Sequence, residues 1–451
     1  MAFPITAASP ARFTGPLPPK ADVVVIGGGV IGVMTAWHLR ARGLAVVLCE
    51  KGRIAGEQSS RNWGWVRQQG RDAAELPIMI EASRMWDGLA AEAEADLGFR
   101  RTGVLYVART EKDQADHDAF MGLARAHGLD TRLLTAAEVR ALLPGAADAW
   151  PGGLKGGLWT ASDGRAEPWI AVPALAAAAA RRGVTVVEGC AVRGIERAAG
   201  RVAGVVTEQG PVACDAVVLA GGAWSSLFLR ANGATIPQLS VISSVAQTVP
   251  MPEIFPGAMT DGAFAFRRRL DGGYSIAPGD FHEFYLGPDA VRNLRAYLPE
   301  VLANPFGRRY LPVAPAGYPD GWRTPRAWAL DRPSPFEAVR ILDPRPNMAA
   351  LGRVQTAFAR AFPALGRPRI ATAWAGMIDT MPDVVPVVDH VPGLPGLTVA
   401  TGMSGHGFGI GPGFGRVVAD LVTGQPPGHD LARFRFSRFA DGSALASGPA
   451  L

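Results

Sequence analysis

Three glycines and one acid carry the first chemical signal in the chain. Gly27, Gly29 and Gly32 stand in the run Gly27-Gly28-Gly29-Val30-Ile31-Gly32, and Glu50 follows. Gly27 permits a tight turn, Gly29 lets backbone come close to a pyrophosphate, and Gly32 lets a helix pack on the preceding strand. A helix opening at Val30 and Ile31 would meet phosphates with unpaired N–H groups and the positive end of its dipole. A carboxylate at Glu50 would accept hydrogen bonds from both hydroxyls of an adenosine ribose, which favours a free 2′-hydroxyl. This spacing leaves NAD and FAD both open, and by itself it is weak.

The surrounding elements strengthen it. Residues 21–26 read ADVVVI, a buried parallel strand; 33–42 read as a helix ending at Gly43; 44–50 form a second strand ending in the acid. Strand, glycine turn, helix and strand make a complete βαβ unit. Further on, helices are expected at 76–97, 113–128, 168–182 and 413–423, with a capping box at Thr135–Glu138. Strands are expected at 102–108, 184–188, 215–220, 371–377, 385–389 and 397–402, a hairpin at 202–213, and antiparallel strands at 241–249 and 273–277. Residues 305–347 are dense in proline and arginine and read as a lid or surface excursion.

Bulk properties narrow the class. The chain has 451 residues, 48% hydrophobic and 19% charged, which suits a globular protein of two domains. No apolar run reaches the roughly 20 residues of a membrane span. The first 20 residues hold five prolines and no apolar block, so they read as a loose arm rather than a secretory signal. The net charge of +5 is carried almost wholly by arginine, without a dense basic block, which argues against nucleic acid. It is compatible with an anionic substrate or peripheral contact with a membrane surface and selects neither. Cys49, Cys190 and Cys214 have no paired spacing, so neither disulfides nor a metal site is expected, and a cytoplasmic location is the simplest reading.

Four stretches spread along the chain add a resemblance. They are Gly56-Glu57-Gln58-Ser59-Ser60-Arg61-Asn62; Asp163-Gly164 with Pro168; Ala220-Gly221-Gly222-Ala223-Trp224-Ser225; and Gly402-Met403-Ser404-Gly405-His406-Gly407-Phe408-Gly409 with Gly411-Pro412. Together and in this order they resemble the D-amino-acid-oxidase superfamily, in the branch of sarcosine oxidase, glycine oxidase and D-amino-acid dehydrogenase. The resemblance implies FAD. It places Lys51, Ser59, Ser60, Arg61 and Asn62 along the cofactor, gives Val192 backbone bonds to adenine, and runs Ala220, Gly221 and Trp224 close by. It sets Gly376, Met403, Gly405, His406, Gly407, Phe408 and Gly409 at the flavin, where N–H donors would stabilise negative charge on the reduced ring.

Departures from sarcosine oxidase are informative. Gly376, in Trp374-Ala375-Gly376-Met377, fills the slot of a flavin-linking cysteine, so FAD is expected to be noncovalent. The strand ending at Ala277 lacks the lysine that activates oxygen, and no lysine follows Lys155. That favours a quinone or carrier protein over O2 as electron acceptor. Gly409 fills a carboxylate-binding lysine slot, while Arg67 keeps the arginine that would fork onto a carboxylate. The expected catalytic set is Arg67, Trp374 and His406, although a fixed cofactor contact is the favoured reading of His406, since a lone histidine is not a mechanism. Trp63 and Trp65 are candidate pocket walls; Arg267, Arg268 and Tyr274 are weaker candidates.

The expected fold is α/β: a Rossmann-like FAD-binding domain with a parallel sheet (21–75, 155–235, 365–430), interleaved with an α+β substrate domain on a mixed or antiparallel sheet (76–154, 236–364). An arm (1–20) and a tail (431–451) flank them. The expected activity is oxidation of the C–N bond of an amino acid or N-substituted amino acid by hydride transfer to flavin N5, as a dehydrogenase. Alternatives are an amine oxidase making H2O2, a 2-hydroxy-acid or glycerol-3-phosphate dehydrogenase, and the flavin subunit of a multi-subunit opine or hydroxyproline dehydrogenase. A disulfide reductase lacks its cysteine pair, and an aromatic hydroxylase lacks its second nucleotide motif.

Overall fold

The computed structural model describes residues 4–303 and 308–446. The βαβ unit forms as β1 (Val23–Ile26), α1 (Val30–Ala41) and β2 (Val46–Glu50). Both β1 neighbours are parallel: β2 on one side, Ala216–Leu219 on the other. Thr185–Glu188 extends the sheet beyond β2, and Leu397–Thr401 extends it beyond Ala216–Leu219. Val387–His390 closes the far edge antiparallel. These strands are short, apolar and covered on both faces, as parallel strands must be. One face buries α1 with helices Glu75–Ala93, Pro168–Arg181 and Gly407–Thr423. The other packs against an antiparallel three-stranded sheet spanning Val192–Ala213 and the helix Ser225–Ala231.

A second, mixed sheet of ten strands runs from Arg308–Leu311 at one edge to Thr131–Thr135 at the other. Its spine is the long antiparallel pair Leu239–Thr248 and Ile370–Thr380. Helix Met348–Ala361 covers one face, seating Leu351, Val354 and Phe358 against Phe266 and Tyr274. Parallel and mixed sheets of the expected kinds are therefore both present, with their strands interleaved along the chain.

Several expectations are corrected. Gly156–Thr160 and Ile370–Thr380, assigned from sequence to the nucleotide side, both pair in the mixed sheet. A short apolar run does not reveal which sheet will pair it. The last helix begins at Gly407 rather than at 413. Its glycines look like helix breakers, yet they allow contact with α1: a Cβ on Gly411 would stand 2.6 Å from Val30 Cγ2, and one on Gly415 2.5 Å from Met34 Cβ. Close packing overrides poor propensity there. The N-terminal arm is docked, not loose. Ile5 is buried, Phe13 N donates to Glu188 Oε2 (3.2 Å), and Ala213 N donates to Pro19 O (2.9 Å). The tail likewise packs through Phe434 and a buried Arg438–Asp383 ion pair (2.9 Å), while 447–451 lie outside the described residues. Residues 308–347 hold only the strand Arg308–Leu311 and the short helix Pro335–Ala338; 304–307 lie outside the described residues. No described helix is long and apolar enough to cross a membrane.

Candidate cofactor and substrate site

A cavity of about 670 Å3 runs from the carboxyl ends of β1 and β2 to the face of the mixed sheet. Ligands of open α/β sheets bind at such strand ends. Its wall begins at the glycine turn. Gly27 has φ +110°, and a Cβ there would stand 2.4 Å from Ala220 O. Gly29 precedes α1, whose first turn bears no acidic side chain, and Val30 N donates to Ser59 Oγ (2.9 Å). Gly32 is not on the cavity surface; a Cβ there would lie 1.9 Å from Gly27 O, so the bare residue is what lets α1 sit on the turn.

Glu50 lines the cavity at the end of β2. Its Oε2 accepts from Gly28 N (2.7 Å) and its Oε1 from Gly52 N (2.6 Å). Burial pushes its carboxyl up to about 7, against the opposing pull of Lys51 and these two amides. Lys51 donates to Glu57 Oε1 (2.7 Å) and lies 4.5 Å from the centre of the Trp224 ring. Trp224 Nε1 also donates to Glu57 (3.1 Å). Val192, Ala220 and Gly221 complete this end of the wall.

The stretch after β2 divides. Ser59 and Asn62 line the cavity; Ser60 is fully buried behind it. Arg61 touches the cavity, but its guanidinium is a clamp: Nε donates to Gly56 O (3.0 Å), Nη1 to Ala375 O (2.9 Å) and Asp343 (2.6 Å), and Nη2 to Ile5 O (3.1 Å). Asn62 caps its own turn, its Oδ1 accepting from Gly64 N (2.7 Å). Gly376 lines the wall behind Arg61, whose Cβ would be 3.2 Å from an added Cβ.

At the opposite end, Met403, Gly405, His406, Gly407, Phe408 and Gly409 line the cavity around the start of helix Gly407–Thr423. Asp379 holds this loop from behind: its Oδ2 accepts from Gly402 N (2.7 Å), Thr401 Oγ1 (3.1 Å) and Gln238 Nε2 (3.1 Å). Two helix N-termini thus converge on one cavity, an arrangement suited to negative charge at both ends of a ligand.

The expected catalytic residues separate. Arg67 lines the cavity, with its guanidinium 5.8 Å from the Tyr106 ring centre and one hydrogen bond to Gln69 O. Trp63 and Trp65 stand beside it in an edge-to-face pair, centroids 5.2 Å apart. His406 is on the wall, but both ring nitrogens are buried without a hydrogen bond, Nδ1 being 3.6 Å from Glu75 Oε2. Burial holds the imidazole down to about 4, so it is neutral and its nitrogens do not face the open space. Trp374 does not reach the cavity. Its indole is packed with Val245, Ala277 and Trp63, and Nε1 donates to Arg61 O (3.0 Å). The weaker candidates are also structural: Arg267 is fully buried in a bidentate pair with Glu167 (3.0 and 2.9 Å), Arg268 lies over the Tyr274 ring, and the Tyr274 hydroxyl accepts from Ile254 N.

Sequence reading missed Arg71, Tyr106 and His282, which all line the cavity. Arg71 is buried and donates to His406 O (3.0 Å), tying the Arg67 segment to the C-terminal loop. Nothing local marks any of the three: residues 67–74 form no helix or strand, and Tyr106 and His282 lie on distant strands.

The fold and this cavity define a flavoprotein oxidoreductase. A family model described as FAD dependent oxidoreductase (DAO) matches residues 22–421, and the chain belongs to that family. It is 25% identical to sarcosine oxidase subunit beta of Rhizobium meliloti over 94% of this chain and 89% of that one. It is 26% identical to glycine oxidase of Pseudomonas putida, covering 92% and 97%. Among solved structures, L-amino acid deaminase from Proteus myxofaciens superposes with a TM-score of 0.90 at 30% identity, covering 97% of each chain. The cofactor is FAD, and the residues around the cavity fit it: a bare glycine turn under Ala220, amides at two helix starts, and a carboxylate at the end of β2.

Proposed function

We propose that the chain oxidises the carbon–nitrogen bond of an amino acid or N-substituted amino acid, acting as a dehydrogenase. The observation that carries this is Arg67 beside Trp63, Trp65 and Tyr106 on the same cavity as the cofactor-type loops. A guanidinium flanked by aromatic rings suits a carboxylate with a small apolar body. Bound FAD supplies the two-electron acceptor. The Gly27–Gly29 turn and the first amides of α1 would hold its pyrophosphate, Glu50 its ribose and Val192 its adenine, and the amides of residues 405–409 would stabilise negative charge on its ring. Arg67 orients the substrate carboxylate and the indoles exclude water. With the nitrogens of His406 off the surface, substrate enters with its amine already neutral.

Support comes from the similar proteins, which include a sarcosine oxidase subunit, a glycine oxidase and an L-amino acid deaminase. We place electron delivery at a quinone or carrier protein, and the protein in the cytoplasm, where Cys49, Cys190 and Cys214 remain free thiols. Anaerobic mixing with a panel of amino acids, N-alkyl glycines, opines and 2-hydroxy acids should bleach the flavin only with amines bearing a carboxylate. Bleaching by hydroxy acids alone would overturn the C–N reading, and H2O2 formed in step with substrate loss would overturn the dehydrogenase. The name of the Rhizobium relative favours one other reading, a flavin subunit of a larger enzyme; co-elution of further polypeptides at native purification is its test.

We also infer that FAD is held noncovalently, since Gly376 offers no side chain for attachment. Acid precipitation should leave all yellow colour in the supernatant; colour in the pellet would refute this. Glu50 gives a pH prediction. Its carboxyl titrates at about 7, and the charged form is the better acceptor for ribose hydroxyls. FAD affinity should therefore rise with pH through about 7 and level off above it, being up to about tenfold weaker at pH 6 than at pH 8. Glu50→Gln should flatten this dependence. A flat wild-type curve in FAD fluorescence titrations removes Glu50 from the ribose. Because its folded value is raised, the same group favours the FAD-free fold below the ordinary carboxylate range, and that contribution is lost as pH rises through about 7.

A further inference from the structure

One part of the surface does not fit a fully solvated protein. Among the described residues, eight of the thirteen exposed large hydrophobic side chains fall between 286 and 322, including the most exposed of all. Scattered apolar residues need no explanation, but a concentrated set marks a contact surface. Helix Leu294–Ala303 shows the pattern most clearly. Leu294, Leu298 and Leu302, spaced i, i+4 and i+8, are exposed at 57%, 45% and 69%. Such spacing puts them on one stripe. Tyr297, on another side of the helix, is buried with Leu239, Val241 and Phe284, its hydroxyl 2.6 Å from Thr380 O. The helix is therefore anchored through one side and presents leucines on another. Val291, Val313 and Trp322 add exposed apolar surface in the adjoining segments, and Trp322 is pinned by Nε1 donating to Leu286 O (3.0 Å).

Charge selects what covers this surface. Residues 286–326 contain six arginines against three acids. Asp289 is buried between Arg230 and Arg292, and Asp320 pairs with Arg326 (3.2 Å), so these two acids offer little to a partner. Arg295 and Arg323 are exposed and make no ion pair among the described residues. A second copy of the chain would bring the same arginines against themselves. An apolar stripe edged by arginine and accompanied by an exposed tryptophan matches the headgroup region of an anionic bilayer, where leucines enter the acyl boundary and guanidinium groups stay with lipid phosphates.

We propose that the surface between residues 286 and 322 docks the protein on an anionic lipid bilayer. The position has a consequence for the site. Strand His282–Tyr285 begins at the cavity, which His282 lines, and ends at exposed Leu286. A bilayer on this surface lies at the outer end of a cavity-wall strand.

The test is sedimentation of the full-length flavoprotein with vesicles. Wild type should pellet with mixed phosphatidylcholine and phosphatidylglycerol vesicles at least about tenfold more than with phosphatidylcholine alone. The double variant Leu294→Glu, Leu298→Glu should lose about tenfold of that binding while keeping its flavin content and melting temperature. Arg295→Glu with Arg323→Glu, both at exposed positions, should abolish the preference for anionic vesicles, and it decides the matter if the leucine variant misfolds. Wild type staying in the supernatant with both vesicle types overturns the proposal. So does a dimer in analytical ultracentrifugation that the leucine substitutions split, which would assign the surface to a second copy.

Discussion

Gly32→Val is expected to yield protein without FAD, most of it insoluble. A Cβ at this position would stand 1.9 Å from Gly27 O, and the branches of valine extend further into the turn. No rotamer relieves a clash between Cβ and backbone, so either α1 lifts from the sheet or the turn opens. Both lose the packing of α1 on β1 and the amides that face the cavity. Core overpacking typically costs about 1–3 kcal/mol, and a backbone clash at the hub of the cofactor site sits at or above the top of that range. Gly29→Ala separates binding from folding: its Cβ would meet only Ser59 Oγ, at 3.1 Å, on the cavity side. That variant should melt within a few degrees of the wild-type protein freed of FAD, yet retain little FAD. Gly122→Ala is the control. It lies in helix Glu111–Ala126 with nothing within 4 Å of its Cβ, and it should stabilise by roughly 0.5–1 kcal/mol. Flavin absorbance per mole of soluble protein reads all three. Full occupancy in Gly32→Val would show that the turn tolerates a side chain and would remove the structural basis of the glycine reading.

The same region shows why part of the site was legible in sequence. Gly27, Gly29, Gly32 and Glu50 lie within one βαβ unit, where spacing along the chain fixes spacing in space. Loop 402–409 is legible for a related reason, since its glycines and the start of the following helix act locally. Arg71 and Tyr106 act only through tertiary placement. Arg71 reaches His406 O across 335 residues of sequence, and Tyr106 meets Arg67 from a strand of the other sheet. Trp374 failed in the opposite direction. It shares a strand face with Gly376, which lines the cavity, but Val245, Ala277 and Trp63 cover its indole and Arg61 O takes its N–H, so a matching face did not bring it to the wall. The glycine-rich start of the last helix was misjudged because propensity describes an isolated segment, whereas Gly411 and Gly415 are selected by contact with α1.

Arg67→Ala should raise KM for a carboxylated amine by more than about tenfold, while the flavin spectrum and FAD content stay unchanged. A tenfold change is about 1.4 kcal/mol, well inside what losing a charge-assisted, partly desolvated hydrogen bond costs. The present geometry leaves the guanidinium available: its partners are one carbonyl, Gln69 O, and the face of the Tyr106 ring. Among the described residues no carboxylate pairs with it, unlike Arg267, whose fork is filled by Glu167. Arg67→Lys should recover only part of the loss, because a point charge cannot replace a planar fork. Arg71→Ala distinguishes orientation from scaffolding. Arg71 is buried, holds His406 O and lies 3.4 Å from Glu75, so its removal should loosen the loop at 402–409 and lower FAD content as well as turnover. If Arg67→Ala leaves KM unchanged while Arg71→Ala raises it with FAD retained, the carboxylate is held at Arg71, four residues further along the chain. If both leave KM unchanged, the substrate reaches the flavin without a carboxylate anchor on this segment, and the amino-acid reading gives way to a simple amine.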